Sequence, residues 1–447
     1  MKRAKVFVII LSLAICVADG YVWQSILPPA RNFARMVVDS INQRAILFGG
    51  HGDDNCWHNN IWQIPLGDSL CYYLLPLKLS GMMPSGRGGE AFVYVPNQQK
   101  VYAICGDTYG NCSGLVNEVW ALRLTPGAES WQQLYPSGTP PCARRQIDGI
   151  YCPARNSIIF FGGEGVNTTY DDLWELKLEP LMWQSIPVSG TRPGTRATNA
   201  IAYNRANNRM IIFGGGYNGG YYNDVWALDL TISSEHWTRL YPTGTAPEER
   251  SGFAFAYNAG TNKLYIFDGF NYIAGMVYND AYVLDISSLT WTEIDATGEG
   301  PSERRNACAT YDYFNNNVIL FGGDGGPGIG NYFNDCYVLD IEYSSSSNPE
   351  WKPSLYLNIS PTINISSSMD MIRIRYILPI ATKISIDILD INGRIVNKIF
   401  SGKTDLATGL ISWDKKDMHN RQISAGTYFC RMSTDDMAIT KKFVVVK

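Results

Sequence analysis

Histidine and charged residues are scarce in this sequence. Only four of the 447 residues are histidine, and Asp, Glu, Lys and Arg together make up 17% of the chain, with a formal net charge of −4. Without an excess of positive charge the chain has no field that would attract phosphate backbones, so nucleic acid is not an expected partner. Only His51 and His58 lie close together, and both belong to one segment. We therefore expect neither a metal ion nor another cofactor.

Catalytic signatures are missing as well. The chain has no G-x-S-x-G element, no phosphate-binding Walker loop and no H-E-x-x-H pair. A structural zinc site is not expected either, because there is no C-x-x-C pair beside a group of histidines. The sequence therefore predicts no catalytic residue.

Long apolar runs are absent except near the first residue. Val6–Val17 is largely apolar, but it is shorter than the roughly 20 residues that a membrane-spanning helix needs. Three basic residues precede it and small residues follow it before Tyr21, which is the pattern of an export signal. We predict a signal peptide at residues 1–20, a secreted or cell-surface location, and no transmembrane segment after removal of the signal.

Repetition is what the sequence has in abundance. A Pro-x-x-Arg element occurs six times at intervals of 52 to 57 residues. After each arginine come an apolar run ending in glycine, a Gly-rich loop, and a polar residue followed two positions later by an aromatic residue. Each copy holds four short runs with the alternation of half-buried strands. The repeated landmarks are Arg31, Arg87, Arg144, Arg196, Arg250 and Arg304; Gly50, Gly163, Gly215 and Gly323; and Trp62, Trp120, Trp174 and Trp226.

This order of landmarks resembles the kelch repeat. The resemblance implies a β-propeller, which is a ring of four-stranded antiparallel sheets called blades. The predicted fold class is therefore all-β, with a six-bladed kelch-type β-propeller at residues 21–343 followed by a small Ig-like β-sandwich. We predict that the segment around Trp23 supplies the outermost strand of the sixth blade, and Trp351 is the competing candidate.

A different β-pattern follows a Ser-rich stretch. Residues 344–357 are predicted to be a linker, and residues 358–447 a separate domain. The runs Ile388–Val396, Ile423–Phe429 and Lys441–Lys447 resemble the C-terminal sorting domain of type IX secretion substrates. The resemblance implies an Ig-like fold and an export machinery as a partner. An accessory Ig-like module without a sorting role is the alternative.

The nine cysteines that follow the predicted signal indicate disulfides, as expected in an exported domain. Their separation along the chain favours Cys105–Cys112 and Cys142–Cys152. Cys56 and Cys112 occupy the same position in adjacent repeats, so a bridge between blades remains an alternative.

The order of the strands places two sets of loops at one rim. In a four-stranded antiparallel blade, the connections after the second and fourth strands emerge on the same side, so the Gly-rich loops and the Pro-x-x-Arg turns share it. Aromatic side chains on such a scaffold suit sugar faces and polar peptide surfaces. The predicted ligand-binding residues are Trp57, His58, Tyr109, Tyr170, Tyr217, Tyr221, Tyr222, Tyr272, Tyr278 and Tyr332.

The repeated arginines are predicted to be structural rather than a positive ring for acidic ligands. Each is expected to donate to carbonyl groups or to pair with the Asp or Glu before the blade aromatic. A ligand seldom needs six identical contacts, which favours this interpretation.

The sequence thus predicts a non-catalytic, monomeric, exported binding or adhesion protein with a protein or glycan ligand on its loop face. The alternative is a carbohydrate-active enzyme on the same scaffold, similar to galactose oxidase or to a sialic acid mutarotase. Two or more carboxylates or histidines from different blades, converging within about 4–6 Å, would favour the enzyme.

Overall fold

A computed structural model describes residues 13–17, 20–24, 28–66, 74–77, 79–109, 114–188, 190–216, 220–298, 300–326, 332–341, 350–353, 362–367, 371–377, 383–403, 408–419, 421–434 and 438–445. Strands dominate these ranges, and their one helical element is the short 3-10 turn Pro96–Gln98. None of these residues forms a helix long and apolar enough to span a membrane. The chain divides into two compact units, Met1–Ser69 with Leu74–Leu355, and Leu70–Tyr73 with Tyr356–Lys447.

The described residues of the first unit form six antiparallel meanders of four strands, which we number blades 1 to 6 in chain order. Their strands are Arg35–Asp39, Arg44–Phe48, Ile61–Pro65 and Leu75–Pro76 in blade 1; Ala91–Val95, Lys100–Ile104, Val119–Arg123 and Ser130–Leu134 in blade 2; Gly149–Cys152, Ser157–Phe161, Leu173–Leu178 and Leu181–Ser185 in blade 3; Ala200–Asn204, Arg209–Gly216, Tyr221–Asp229 and His236–Leu240 in blade 4; Ala254–Asn258, Lys263–Phe267, Ala281–Asp285 and Thr290–Glu293 in blade 5; and Cys308–Asp312, Asn317–Phe321, Cys336–Asp340 and Glu350–Pro353 in blade 6.

Short strands supplement the meanders. Thr243–Gly244 and Thr297–Gly298 add parallel edges to blades 5 and 6. Arg31–Asn32 pairs with His51–Gly52, and Phe270–Asn271 pairs with Met276–Val277.

The blades form a closed ring. The first strand of each blade lies beside the first strand of the next, and that of blade 6 lies beside that of blade 1. The N–H of Gly163 donates to the carbonyl oxygen of Arg196 in the next blade at 2.9 Å, and the N–H of Gly323 donates to that of Arg31 at 2.8 Å. Gly163 has a φ of +100°, which glycine adopts without steric cost. The predicted all-β propeller class is confirmed.

The inner strands of each blade are buried because neighbouring blades stack on both faces of the sheet. The second strand Ser157–Phe161 is buried along its whole length, because its two faces are covered by different neighbours. Its two rows of side chains accordingly belong to separate cores, with Phe160 packed against blade 2 and Phe161 against blade 4.

The outermost strand of blade 6 is Glu350–Pro353, which pairs with Cys336–Asp340 and places Trp351 opposite Leu339. The prediction that the segment around Trp23 completes this blade is therefore wrong. Gly20–Gln24 pairs with Leu13–Val17 instead. A strand that follows the third strand after a short connection closes a smaller loop than a strand from the other end of the chain, so its closure costs less entropy.

The predicted Cys142–Cys152 disulfide is wrong. Cys142 is exposed in a Pro-x-x-Arg turn, whereas Cys152 is buried at the far end of the first strand of blade 3, and neither is bonded to another cysteine of the described ranges. An extended strand separates the two residues, so the short distance along the chain does not bring the thiols together. Cys56 and Cys105 are also free thiols, and their proposed partner Cys112 lies outside the described residues.

Glu90 and Asp268 are buried acids whose carboxylates have no hydrogen-bond partner among the residues that the structure describes. Burial raises the pKa of Glu90 to about 7, against the attraction of Arg35 and Arg87. Asp268 stands where blades 1, 3, 4 and 6 have the first glycine of the pair, with a φ of +61°, and burial raises its pKa well above the ordinary value.

Replacing Glu90 with glutamine is expected to change how stability depends on pH. Because the pKa of Glu90 is about 7 in the folded state and 4.5 ordinarily, its contribution is fully present below about pH 4.5 and is lost as the pH rises through about 7. Glu90→Gln does not titrate. The variant should therefore gain stability relative to the wild type as the pH rises, on the order of 3 kcal/mol at pH 8.

Urea unfolding of both proteins at pH 5 and pH 8 measures this gain. Glu249→Gln, at an exposed position, controls for the loss of one charge. A constant difference between Glu90→Gln and the wild type at the two pH values would contradict the prediction.

Seven strands of the second unit form two sheets. One has the order Thr362–Ser367, Ile372–Ile377, Thr408–Trp413, and the other has the order Ile395–Lys403, Lys383–Leu389, Gly426–Ser433, Ala438–Val445. Side chains of both sheets meet in one core, which includes Ile374, Trp413, Ile386, Cys430 and Phe443. The two packed sheets make a small β-sandwich, whose Ig-like topology stays a prediction.

Candidate ligand-binding face

Each Pro-x-x-Arg arginine is fully buried beneath the loops of the propeller. In Arg144, Nη1 donates to the carbonyl oxygen of Gly162 at 2.8 Å, and Nη1 and Nη2 donate to the two carboxylate oxygens of Asp172 at 2.5 and 2.9 Å. This two-point bond joins the turn before the first strand to the loop before the third. The corresponding acceptors are Asp224 for Arg196, Asp280 for Arg250, Asp335 for Arg304, Glu118 for Arg87 and the amide oxygen of Asn60 for Arg31.

Three of the predicted binding residues pack on these arginines. The guanidinium carbons lie 3.9, 4.2 and 3.9 Å from the ring centroids of Tyr170, Tyr222 and Tyr278. Phe333 covers Arg304 in the same way. Because one face of each ring is occupied by a cation, we infer that these tyrosines stabilise the arginines rather than form a platform for a ligand.

The central opening on the loop side, here called the mouth, is lined by the residues that follow the arginines. Backbone bonds link these residues between blades: the N–H of Phe33 donates to the carbonyl oxygen of Asn306 at 2.9 Å, and the N–H of Gly89 donates to that of Phe33 at 3.3 Å. Next to these residues, the residue that directly follows each arginine forms a backbone β-bridge with the residue that directly follows the glycine ending of the same blade, as Arg305 does with Asp324. The side chains at these positions therefore surround the mouth.

Blades 6 and 1 contribute a polar and aromatic cluster to the mouth. Nδ1 of His51 lies 3.0 Å from the hydroxyl oxygen of Tyr332, and the rings of His51 and Trp57 meet edge to face at 5.0 Å. Nδ2 of Asn32 donates to Oδ2 of Asp324 at 2.6 Å. Burial lowers the pKa of His51 below its ordinary 6.5, in spite of Asp54 nearby. The imidazole is therefore neutral at neutral pH, with one ring nitrogen able to donate and the other to accept.

Blades 4 to 6 continue this cluster. Nε of Arg305 donates to Oδ1 of Asp324 at 2.6 Å, and its guanidinium carbon lies 5.3 Å from the ring centroids of both Phe270 and Tyr272. Phe270 also packs against Tyr221 of blade 4 at 5.7 Å. We call the resulting continuous set of side chains the mouth arc. Its members are Tyr221, Phe270, Tyr272, Arg305, Asp324, Tyr332, Asn32, His51 and Trp57.

The mouth arc brings together four of the predicted binding residues, namely Trp57, Tyr221, Tyr272 and Tyr332. Nε2 of His58 lies 3.3 Å from Oδ1 of Asp54, behind the arc. Burial, and to a smaller extent repulsion from Arg31, lowers the pKa of His58. Tyr109 is 81% exposed but belongs to blade 2, away from the arc. Tyr217 lies outside the described residues.

The other five members of the arc were not among the predicted binding residues: Asn32, His51, Phe270, Arg305 and Asp324. All five occupy positions defined by the repeat: His51, Phe270 and Asp324 directly follow the glycine ending, and Asn32 and Arg305 directly follow the repeated arginine. The residue after the glycine ending and the residue after the arginine differ from one repeat to the next, whereas the neighbouring arginine and glycine recur in all six. This variation is the signal that could have identified the arc residues. The contacts between these side chains, however, are known only from the tertiary structure.

The opposite side of the mouth is charged. Arg145 of blade 3 donates to Asp107 of blade 2 at 2.9 Å and to Glu164 at 3.0 Å. A shared arginine of this kind ties two blades together and neutralises the acids. Within the described ranges, no group of three or more His, Cys, Asp or Glu side chains has the arrangement of a metal site.

The closed ring of four-stranded blades and its loop-side mouth define the class: this is a β-propeller with a separate β-sandwich unit. Residues 17–203, 124–323 and 230–356 match the model of the KLHDC2/KLHL20/DRC7 Kelch-repeats domain. The chain belongs to the kelch-repeat family. Residues 362–446 match the secretion system C-terminal sorting domain. Kelch repeats indicate a role in protein binding, and the sorting domain implies export to the cell surface or the extracellular space.

The curated relatives match this chain over very different shares of their own length. Kelch domain-containing protein 3 of Bos taurus is 26% identical over 338 residues, which is 68% of this chain and 83% of the relative. The flagellar outer arm dynein alpha chain of Chlamydomonas reinhardtii is 26% identical over 281 residues, 60% of this chain but 6% of the relative. Putative adagio-like protein 2 of Oryza sativa subsp. japonica is 30% identical over 232 residues, which is 50% of this chain and 34% of the relative. The chain thus spans far less than two thirds of the last two relatives.

Proposed function

We propose that this exported protein binds a protein or carbohydrate ligand at the mouth arc, without chemical turnover, and so acts in recognition or adhesion outside the cell. The observation that carries the proposal is the continuity of the arc over four successive blades. A scaffold needs stacked aromatics between blades, but it does not need a row of aromatic and amide groups along the mouth.

The chemistry of the arc suits a partly polar ligand. Tyr272 is 41% exposed and offers a flat ring on which a sugar or a peptide group can pack. Large aromatic side chains beside an arginine are also typical of the residues that dominate binding energy in interfaces.

Replacing Tyr272 with alanine is expected to weaken ligand binding about tenfold, because truncation of a central aromatic contact costs more than 1 kcal/mol. The ligand is first identified by screening the purified full-length protein on glycan and peptide arrays. The affinity of the wild type and of the variant is then measured by titration calorimetry, with a parallel search for chemical change in the bound ligand.

Tyr241→Ala is the matched control, because Tyr241 is 76% exposed but follows the outermost strand of blade 4, away from the mouth. It should bind like the wild type. Equal affinity of Tyr272→Ala and the wild type would rule out the arc as the binding site, and release of a modified ligand would favour an enzyme.

A further inference from the structure

Blade 1 departs from the other blades at the acceptor of its buried arginine. In blades 2 to 6 the acceptor is a carboxylate, whereas in blade 1 it is the amide oxygen of Asn60, which accepts from Nη1 of Arg31 at 2.9 Å. The cation of Arg31 is fully buried and is not bonded to a carboxylate at this position, although Asp53 and Asp54 attract it from nearby. The sixfold repeat is therefore broken at one place, in charge as well as in hydrogen bonding.

Blades 2, 3 and 4, which have a tryptophan two residues after the acid, show which hydrogen-bond acceptor blade 1 lacks. Oδ2 of Asp172 accepts from Nη2 of Arg144 at 2.9 Å and also from Nε1 of Trp174 at 2.7 Å. The same two donors converge on one carboxylate oxygen in blades 2 and 4, at Glu118 and Asp224. A single oxygen with negative charge thus joins the arginine and the tryptophan in each of these blades.

Blade 1 has both of these N–H donors, from an arginine and a tryptophan, but it lacks the carboxylate oxygen that accepts from them in blades 2, 3 and 4. Nη2 of Arg31 and Nε1 of Trp62 are buried, and neither has an acceptor among the residues that the structure describes. The Asn60 amide cannot replace the carboxylate, because its second polar atom is an N–H₂ donor. Either orientation of that amide leaves a guanidinium N–H group facing a donor. Buried donors of this kind ordinarily have a partner.

Charge and access complete the site. Burial lowers the pKa of Arg31 to about 10, so the group is still a cation at neutral pH. The pKa of Arg304, which is paired with Asp335, is raised despite its burial. The carboxylates at the equivalent place in blades 2 to 6 have between 12% and 38% of their side chains exposed. Asn60 is itself only half-buried, so we infer that an ion from solution can reach the position beside it.

We propose that blade 1 binds a small monovalent anion, a halide or a short carboxylate, between Nη2 of Arg31 and Nε1 of Trp62, where the other blades place their own carboxylate oxygen. The anion completes the repeat by neutralising the buried cation and accepting both N–H groups. Binding to the folded state alone makes the anion a stabiliser of the propeller.

The test is the thermal stability of the full chain at constant ionic strength, as the sodium salt of a bulky sulfonate buffer is replaced by sodium bromide or sodium acetate. The Tm of the wild type should rise by about 2 °C or more. Asn60→Asp supplies the missing carboxylate, so this variant should melt at a higher temperature than the wild type and lose the dependence on the anion. Asp172→Asn creates the same gap in blade 3 and should acquire the dependence.

Crystals soaked in bromide provide a direct readout that does not depend on stability. An anomalous peak within hydrogen-bond distance of Arg31 Nη2 and Trp62 Nε1 is expected in the wild type and not in Asn60→Asp. A water molecule at this place in bromide, or an equal response of the wild type and Asn60→Asp to both salts, would overturn the proposal.

Discussion

Arg144→Ala is expected to lower the free energy of unfolding by about 2–3 kcal/mol, because it removes a fully buried side chain together with its charge-assisted hydrogen bonds, whereas the 38% exposed Asp172 carboxylate that remains can be solvated by water. Arg144 is fully buried and holds both oxygens of Asp172 and the carbonyl oxygen of Gly162. It also supports the ring of Tyr170 at 3.9 Å. The loss therefore affects the turn, the loop and the aromatic layer of one blade together. Urea unfolding followed by tryptophan fluorescence measures it.

Arg192 is a suitable control, since it forms an ion pair of similar length in the same region. Its Nη2 lies 2.9 Å from Oδ2 of Asp171, but 49% of the arginine side chain is exposed. Arg192→Ala should cost no more than about 1 kcal/mol. Arg144→Lys should recover only part of the loss, because an ammonium group cannot hold both carboxylate oxygens in a planar fork. Similar costs for Arg144→Ala and Arg192→Ala would show that the repeated arginine is not structurally important.

Removing the second unit is expected to abolish export almost completely. The match to the sorting domain covers residues 362–446, so a chain that ends at residue 357 lacks all of it. The propeller has its own closed ring and its own cores, and should therefore fold without the tail. Cell fractionation with an antibody against the propeller should find the shortened chain inside the cell and the full chain at the surface or in the medium.

Two controls separate export from folding in this experiment. The shortened chain should give the circular dichroism and melting profile of a folded β-protein after purification. Residues 358–447 fused to an unrelated carrier with an export signal should direct that carrier to the same location as the full chain. Export of the shortened chain at the level of the full chain would instead make the second unit an accessory module.

The repeat pattern was sufficient for the fold because each landmark has a local physical task. Glycine after the second strand permits the positive φ that the turn needs, as at Gly163. The polar residue before the blade aromatic, such as Asp172, accepts from the arginine of the same repeat. Such constraints lie within one repeat and recur in every copy, so they can be read from a single sequence. The closing strand was misassigned because Trp23 and Trp351 both fit the landmark, and pairing decides between them.

The binding face was only partly predictable for a related reason. Tyr170 and Tyr272 both lie in loops on the same rim, and composition cannot distinguish them. The structure places Tyr170 over the Arg144 guanidinium and leaves Tyr272 beside Arg305 with an exposed ring. Phe270 comes from blade 5 whereas Arg305 and Asp324 come from blade 6, and their contacts exist only after the two blades have packed together.

The sequence alone therefore determined the propeller class, the buried arginine landmarks of its repeats and the separate tail, because these depend on strand alternation, turn residues and contacts within one repeat. Only the tertiary structure decided which aromatic residues pack on arginines and which form the mouth arc. It also decided that the cysteine pair of blade 3 stays apart. Each of these depends on side chains that meet between blades or across an extended strand, and no separation along the chain specifies such contacts.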